Sequence, residues 1–112
     1  LIAAHVRCAQ ALCDLEQLQG AARHSRSAIG LLDTYTPHSL TLGEVFLTHY
    51  HILGKMEKQE ARLWLEKALA WLMEIANNKV PSKYRESFLT RNPVNKAILD
   101  EAKKVGLELP TS

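Results

Sequence analysis

Residues 58–77, KQEARLWLEKALAWLMEIAN, contain the clearest structural signal in this chain of 112 residues. Good helix formers fill the stretch, and its apolar positions recur every three or four residues, as on one face of an α-helix. The stripe consists of Ala61, Leu65, Ala68, Leu72 and Ile75, flanked by Trp64 and Trp71. The pattern predicts a long amphipathic helix that buries one face.

An earlier segment repeats this pattern. Residues 20–31, GAARHSRSAIGL, correspond to residues 60–71, EARLWLEKALAW, with a period of 40 residues. Each copy carries two alanines seven residues apart, Ala21 with Ala28 and Ala61 with Ala68. Seven residues make about two helical turns, so both alanines of a copy face the same way. Their small side chains allow a partner helix to approach closely, and we therefore expect two helical hairpins.

Helical patterns extend through the rest of the chain, and we predict six helices. The first four span about residues 1–18, 21–32, 42–53 and 58–77, with Gly20 ending the first or opening its turn. A fifth begins near Pro81. The sixth is bounded by Asn92 as its cap, Pro93 in its first turn and Gly106 at its end.

The repeated hairpins resemble the tetratricopeptide repeat, a helical hairpin of about 34 residues. The resemblance covers residues 3–32 and 44–73. In the first copy Ala9, Leu12, Ala21 and Ala28 match the family pattern, and in the second Ile52, Ala61, Leu65 and Ala68 match it. The chain departs from the pattern at His49, where glycine or alanine is usual, at Ser25, where an aromatic is usual, and in lacking the closing proline.

This resemblance implies an all-α fold in which antiparallel hairpins stack as a short α-α superhelix. We expect one domain: repeat one over residues 1–33, a loop over 34–41, repeat two over 42–77 and capping helices over 80–106. Residues 80–95, VPSKYRESFLTRNPVN, look similar to the end of helical repeat regions in large bacterial ATP-binding signalling regulators. The chain starts at Leu1, and we interpret it as a fragment of such a longer protein.

The same resemblance implies a concave surface lined by the first helix of each hairpin. Its candidate partner-binding residues are Arg7, Gln10, Asp14, Phe46 and Tyr50. The expected partner is a protein, a peptide or an attached domain of the same chain. The alternative is that these side chains form solvated helix surface or stack on neighbouring repeats. Self-association through Phe46, Trp64 and Trp71 is a further alternative.

No motif predicts catalysis, a cofactor or a metal site. His49 and His51 are two residues apart on a helix and cannot chelate one ion together. His5 could touch Cys8, but further ligands are not evident. We therefore expect an interaction scaffold rather than an enzyme.

Charge and cysteine content restrict the remaining alternatives. The net charge is +2, from 14 basic and 12 acidic residues, and this near balance does not favour binding to nucleic acid. A nucleic-acid-binding helical domain of a transcriptional regulator stays the second hypothesis, because the last two helices carry many basic residues. Cys8 and Cys13 lie on different sides of one helix, which fits a reducing cytoplasm. No apolar run is long enough to predict a membrane span.

Overall fold

The computed structural model describes residues 2–35 and 41–107, which form six α-helices without a strand. The helices are α1 (Ile2–Asp14), α2 (Leu18–Leu31), α3 (Leu42–Lys55), α4 (Ala61–Asn78), α5 (Ser82–Arg91) and α6 (Pro93–Lys104). The predicted all-α class and the number of helices are confirmed.

Two hairpins, α1 with α2 and α3 with α4, close through the same backbone turn. The second residue after each first helix adopts a left-handed conformation: Glu16 with φ 60° and Glu57 with φ 59°. In the first turn the N–H of Gln17 donates to the Leu12 carbonyl at 2.8 Å. In the second turn the N–H of Lys58 donates to the Leu53 carbonyl at 2.9 Å. This is the Schellman arrangement, which satisfies the last carbonyls of a helix.

The first helix therefore ends earlier than predicted. It stops at Asp14, and Gly20, which was expected to end it or open the turn, lies inside α2. The chain reverses at Glu16 instead. A glutamate occupies the left-handed position of this turn, so no glycine marks the turn in the sequence.

The buried clusters show how the helices run. Ile2 and Val6, at the start of α1, pack with Val45 near the start of α3. Ala9, further along α1, packs with Ile52 near the end of α3. These two front helices are therefore parallel, and the rear helices α2 and α4 return in the opposite direction.

The paired alanines of the rear helices are buried, as the repeat predicts. Ala21, Ala28 and Ala68 are each 0% exposed, and Ala61 is 7% exposed. The helices of each hairpin consequently pack closely along their lengths.

Helix α6 takes the place that a third front helix would occupy. It contacts both α3 and α4, just as α3 contacts both α1 and α2, whereas α5 contacts only α4 and α6. Two bonds fix the short helix α5: Arg85 donates to the Ala76 carbonyl at 3.0 Å, and the buried Asn95 donates to the Phe88 carbonyl at 3.1 Å. The front surface of the molecule thus consists of α1, α3 and α6.

The predicted boundaries of the last helix are confirmed. The side-chain oxygen Oδ1 of Asn92 accepts hydrogen bonds from the N–H groups of Val94 and Asn95, and Pro93 occupies the first turn. At the other end Gly106 has a φ of 79°, and the N–H of Leu107 donates to the Ala102 carbonyl.

Candidate functional site

The front helices enclose a groove of about 310 Å³. Helix α1 supplies one wall, α3 the floor and the first turns of α6 the other wall. Its lining combines an apolar base with a polar rim, formed by Gln10, Cys13, Asp14, Glu44, Leu47, Thr48, His51, Ile52, Pro93, Val94 and Ala97. A concave apolar surface with a few polar groups is the usual form of a recognition site.

A hydrogen-bond network joins α1 to α3 along one edge of the groove. Arg7 forms an ion pair with Glu44, and the Gln10 side-chain amide donates to Glu44 at 3.0 Å and to Thr48 at 3.2 Å. Arg7 is more than half exposed, whereas the Glu44 side chain is only 17% exposed. These contacts hold Arg7 and Gln10 in place, so some of their hydrogen-bond donors are already occupied within the molecule.

Asp14 gives the groove an acidic rim. It is exposed at the end of α1, and within residues 2–35 and 41–107 no basic side chain pairs with it. No lysine or arginine lines this groove. The other carboxylate of the lining, Glu44, is already paired with Arg7, so Asp14 is the acidic group that the rim offers to a ligand. An unpaired carboxylate favours a cationic partner.

His51 marks the limit of the groove between α3 and α6. Its Nε2 atom lies 3.6 Å from a Glu101 carboxylate oxygen. Burial lowers the pKa of His51, and the neighbouring Glu101 opposes that effect. The imidazole and the carboxylate together separate the groove from a second depression nearer the helix ends.

Tyr50 lines that second depression with Lys55, Glu101 and Lys104. Burial raises the pKa of its phenol, and the charge of Glu101 adds to the effect. Because Glu101 and Lys104 near the end of α6 lie beside Tyr50 and Lys55 near the end of α3, these two helices are parallel.

Phe46 lies on another side of α3. Its ring centroid is 6.0 Å from that of Trp64, and it packs against the core formed by α3, α4 and α6. Of the five residues predicted from the repeat pattern, Gln10 and Asp14 line the groove and Arg7 borders it through Glu44. Tyr50 lies beyond His51, and Phe46 is not brought to the groove. Sequence reasoning missed the contribution of α6, including Val94 and Ala97.

A second polar arrangement lies inside the molecule. Ser25 and His49, respectively 1% and 3% exposed, share a hydrogen bond of 2.6 Å between α2 and α3. The Ser25 hydroxyl also lies 3.1 Å from the Ala22 carbonyl, so its proton has an acceptor within its own helix as well as the imidazole. The Trp64 ring covers His49 edge-on at 4.8 Å. This burial keeps a substrate from the serine.

The electrostatic setting of His49 favours its neutral form. The pKa of His49 is lowered to about 4, chiefly by burial and then by the positive charge of Arg26, whereas the charge of Glu60 acts in the opposite direction. Both residues of this pair are positions at which the sequence departs from the repeat pattern used to predict the hairpins. Their joint departure was the signal in the sequence that could have predicted their contact.

A pair of histidines and the two cysteines are further side chains of a kind that can bind a metal ion. The Nδ1 atoms of His5 and His24 lie 3.0 Å apart between α1 and α2. Across residues 2–35 and 41–107, no group of three or more histidine, cysteine or acidic side chains is placed to hold a metal ion. Cys8 is exposed and Cys13 is buried, and neither forms a disulfide.

No family model, curated protein or solved structure matches this chain. In the part of the chain that the structure describes, no helix is long and apolar enough to cross a membrane.

Proposed function

We propose that this chain is a non-catalytic interaction scaffold whose front groove binds a segment of another protein or of an attached domain. The observation that supports the proposal is the groove itself, built from α1, α3 and α6 with an apolar floor and an acidic rim. Parallel front helices with a shared concave surface are also what the tetratricopeptide-like pattern of the sequence implies.

The lining suggests the chemistry of the partner. A volume of about 310 Å³ accommodates one or two side chains rather than a large ligand. Leu47, Val94 and Ala97 offer apolar contacts, and Asp14 offers a carboxylate at the rim. We therefore expect the groove to select a peptide in which an aliphatic side chain is followed or preceded by lysine or arginine.

The wider context forms part of the same proposal. The similarity of residues 80–95 to the end of repeat regions in bacterial signalling regulators supports a role in signal relay or transcriptional regulation. In the structure this segment includes α5 and the first turn of α6, so it helps to form one wall of the groove. The free thiols of Cys8 and Cys13 support a cytoplasmic location.

A peptide array tests the groove. The purified chain is applied to an array that varies aliphatic and basic positions, and binding is compared with that of the variants Asp14→Arg and Asp100→Arg. Asp100 is an exposed acid of α6 that does not line the groove, so its variant makes the same change of charge elsewhere.

We expect Asp14→Arg to weaken binding of basic–aliphatic peptides about tenfold or more, and Asp100→Arg to leave it nearly unchanged. Equal losses in the two variants would remove the groove from the proposal. Tight binding of duplex DNA with a steep dependence on salt, in place of peptide binding, would instead favour the nucleic-acid hypothesis.

A further inference from the structure

A larger cavity lies on the other side of the molecule, between α2 and the turn that joins α3 to α4. We call it the back pocket. It has a volume of about 590 Å³ and is lined on the α2 side by Gln19, Ala22, Arg23 and Arg26, and on the turn side by Met56 and Lys58. Such a volume falls in the range of pockets that hold small organic ligands.

The charge of the back pocket is one-sided. Arg23, Arg26 and Lys58 line it, and among the residues that the structure describes no aspartate or glutamate does. None of the three forms an ion pair within 4 Å in the described parts of the chain. Glu60, whose charge acts on His49 together with that of Arg26, is not among the lining residues.

This arrangement depends on the stacking of the hairpins. Two arginines three residues apart project from one face of α2, and the lysine comes from a turn more than 30 residues later in the chain. Packing α2 against the second hairpin thus brings three like charges to one concavity, and a bound anion would relieve their mutual repulsion.

We propose that the back pocket binds a small molecule that carries a phosphate ester or diphosphate group. The planar guanidinium groups of Arg23 and Arg26 each offer paired N–H donors that match phosphate oxygens, and Lys58 adds a compact positive charge. Met56 and Ala22 form an apolar surface for the rest of the ligand. The Ser27 hydroxyl donates to the Arg23 carbonyl at 3.0 Å, so it contributes no free donor.

Inorganic pyrophosphate is the probe for the test. The melting temperature of the full chain is measured at pH 7.5 with pyrophosphate, with succinate and with sodium chloride at equal ionic strength, and the dissociation constant is determined by calorimetry. At a tenfold excess over the dissociation constant, pyrophosphate should raise the melting temperature by roughly 5 °C. Adenosine monophosphate, tested in parallel, reports whether an organic body strengthens binding beyond the phosphate alone.

Charge-removing variants locate the site. Arg23→Gln, Arg26→Gln and Lys58→Gln should each weaken pyrophosphate binding about tenfold, because each removes one cation from the pocket. Arg62→Gln is the matched control, since Arg62 is an exposed arginine of α4 outside the pocket and pairs with Glu66. Far-UV circular dichroism verifies that every variant is folded.

Three results would overturn the proposal. Pyrophosphate could leave the melting temperature unchanged, succinate could stabilise the protein as much as pyrophosphate does, or Arg62→Gln could weaken binding as much as the pocket variants. Peptide binding by the front groove is independent of these results, so the two proposals fail separately.

Discussion

The buried imidazole of His49 should make the protein lose stability in mild acid. Its pKa is lowered from 6.5 to about 4, chiefly by burial and then by the charge of Arg26. In the unfolded chain the imidazole is solvated and titrates near 6.5. As the pH falls below 6.5, the unfolded state therefore binds a proton that the native state does not accept.

The magnitude follows from the difference between the two pKa values. At 1.36 kcal/mol for each pKa unit, protonation of His49 should lower the free energy of unfolding by about 3 kcal/mol. The stabilising contribution is complete above pH 6.5, is lost progressively between pH 6.5 and 4, and is absent below pH 4. A loss of this size is a large fraction of the stability of a small domain.

Urea unfolding followed by far-UV circular dichroism, at several values between pH 7.5 and pH 4, measures the effect. The comparison is with His49→Gln, which cannot titrate but can still bond to Ser25. Other titrating groups are shared by the two proteins and cancel in the difference. Between pH 7.5 and pH 4, the free energy of unfolding of the unmodified protein should fall by about 3 kcal/mol more than that of the variant. Parallel curves for the two proteins would refute the reasoning.

Three further predictions concern stability and are measured by the same urea unfolding at pH 7.5. Gly43→Ala should destabilise the protein by about 1–2 kcal/mol, because the added Cβ would lie 2.6 Å from a carbon of the Trp71 ring. Gly30→Ala is its control and should stabilise by up to about 1 kcal/mol, since no atom of residues 2–35 and 41–107 lies within 4 Å of the new methyl group; a loss in both would contradict the steric explanation. Glu57→Gly should stabilise by about 0.5–1 kcal/mol by relieving a left-handed conformation at φ 59°, and a loss of stability would show that the glutamate side chain matters more than its backbone. Asn92→Ala should cost about 1 kcal/mol through loss of the cap of α6, and an unchanged midpoint would argue against that role.

The local rules of helix formation explain why much of the fold could be predicted. The alanine spacing predicted the buried faces of α2 and α4, and the residues from Asn92 to Gly106 predicted the last helix, because stripes and caps are encoded by neighbours in sequence. The end of α1 could not be predicted from the same rules. Its turn places Glu16 in a conformation that the sequence usually marks with glycine.

The candidate site was predicted only in part for a related reason. Gln10 and Asp14 could be assigned from the repeat pattern, because a regular hairpin fixes the front of its first helix. The wall contributed by Val94 depends on α6 taking the third front position, which no local pattern predicts. The back pocket likewise joins Arg26 to Lys58 through packing between hairpins, so its charge is dispersed in the sequence and concentrated only in the fold.

The contact of Ser25 with His49 has a consequence for how the hairpins recognise each other during folding. Helices with similar alanine stripes can slide by one turn and still bury apolar surface. Such a slip would separate the hydroxyl from the imidazole and leave Nδ1 of His49 without a partner in a dry interior, at a cost of about 1–3 kcal/mol, whereas Ser25 would keep the Ala22 carbonyl of its own helix. The hydrogen bond between Ser25 and His49 therefore favours one alignment of α2 on α3 over alignments shifted by a helical turn.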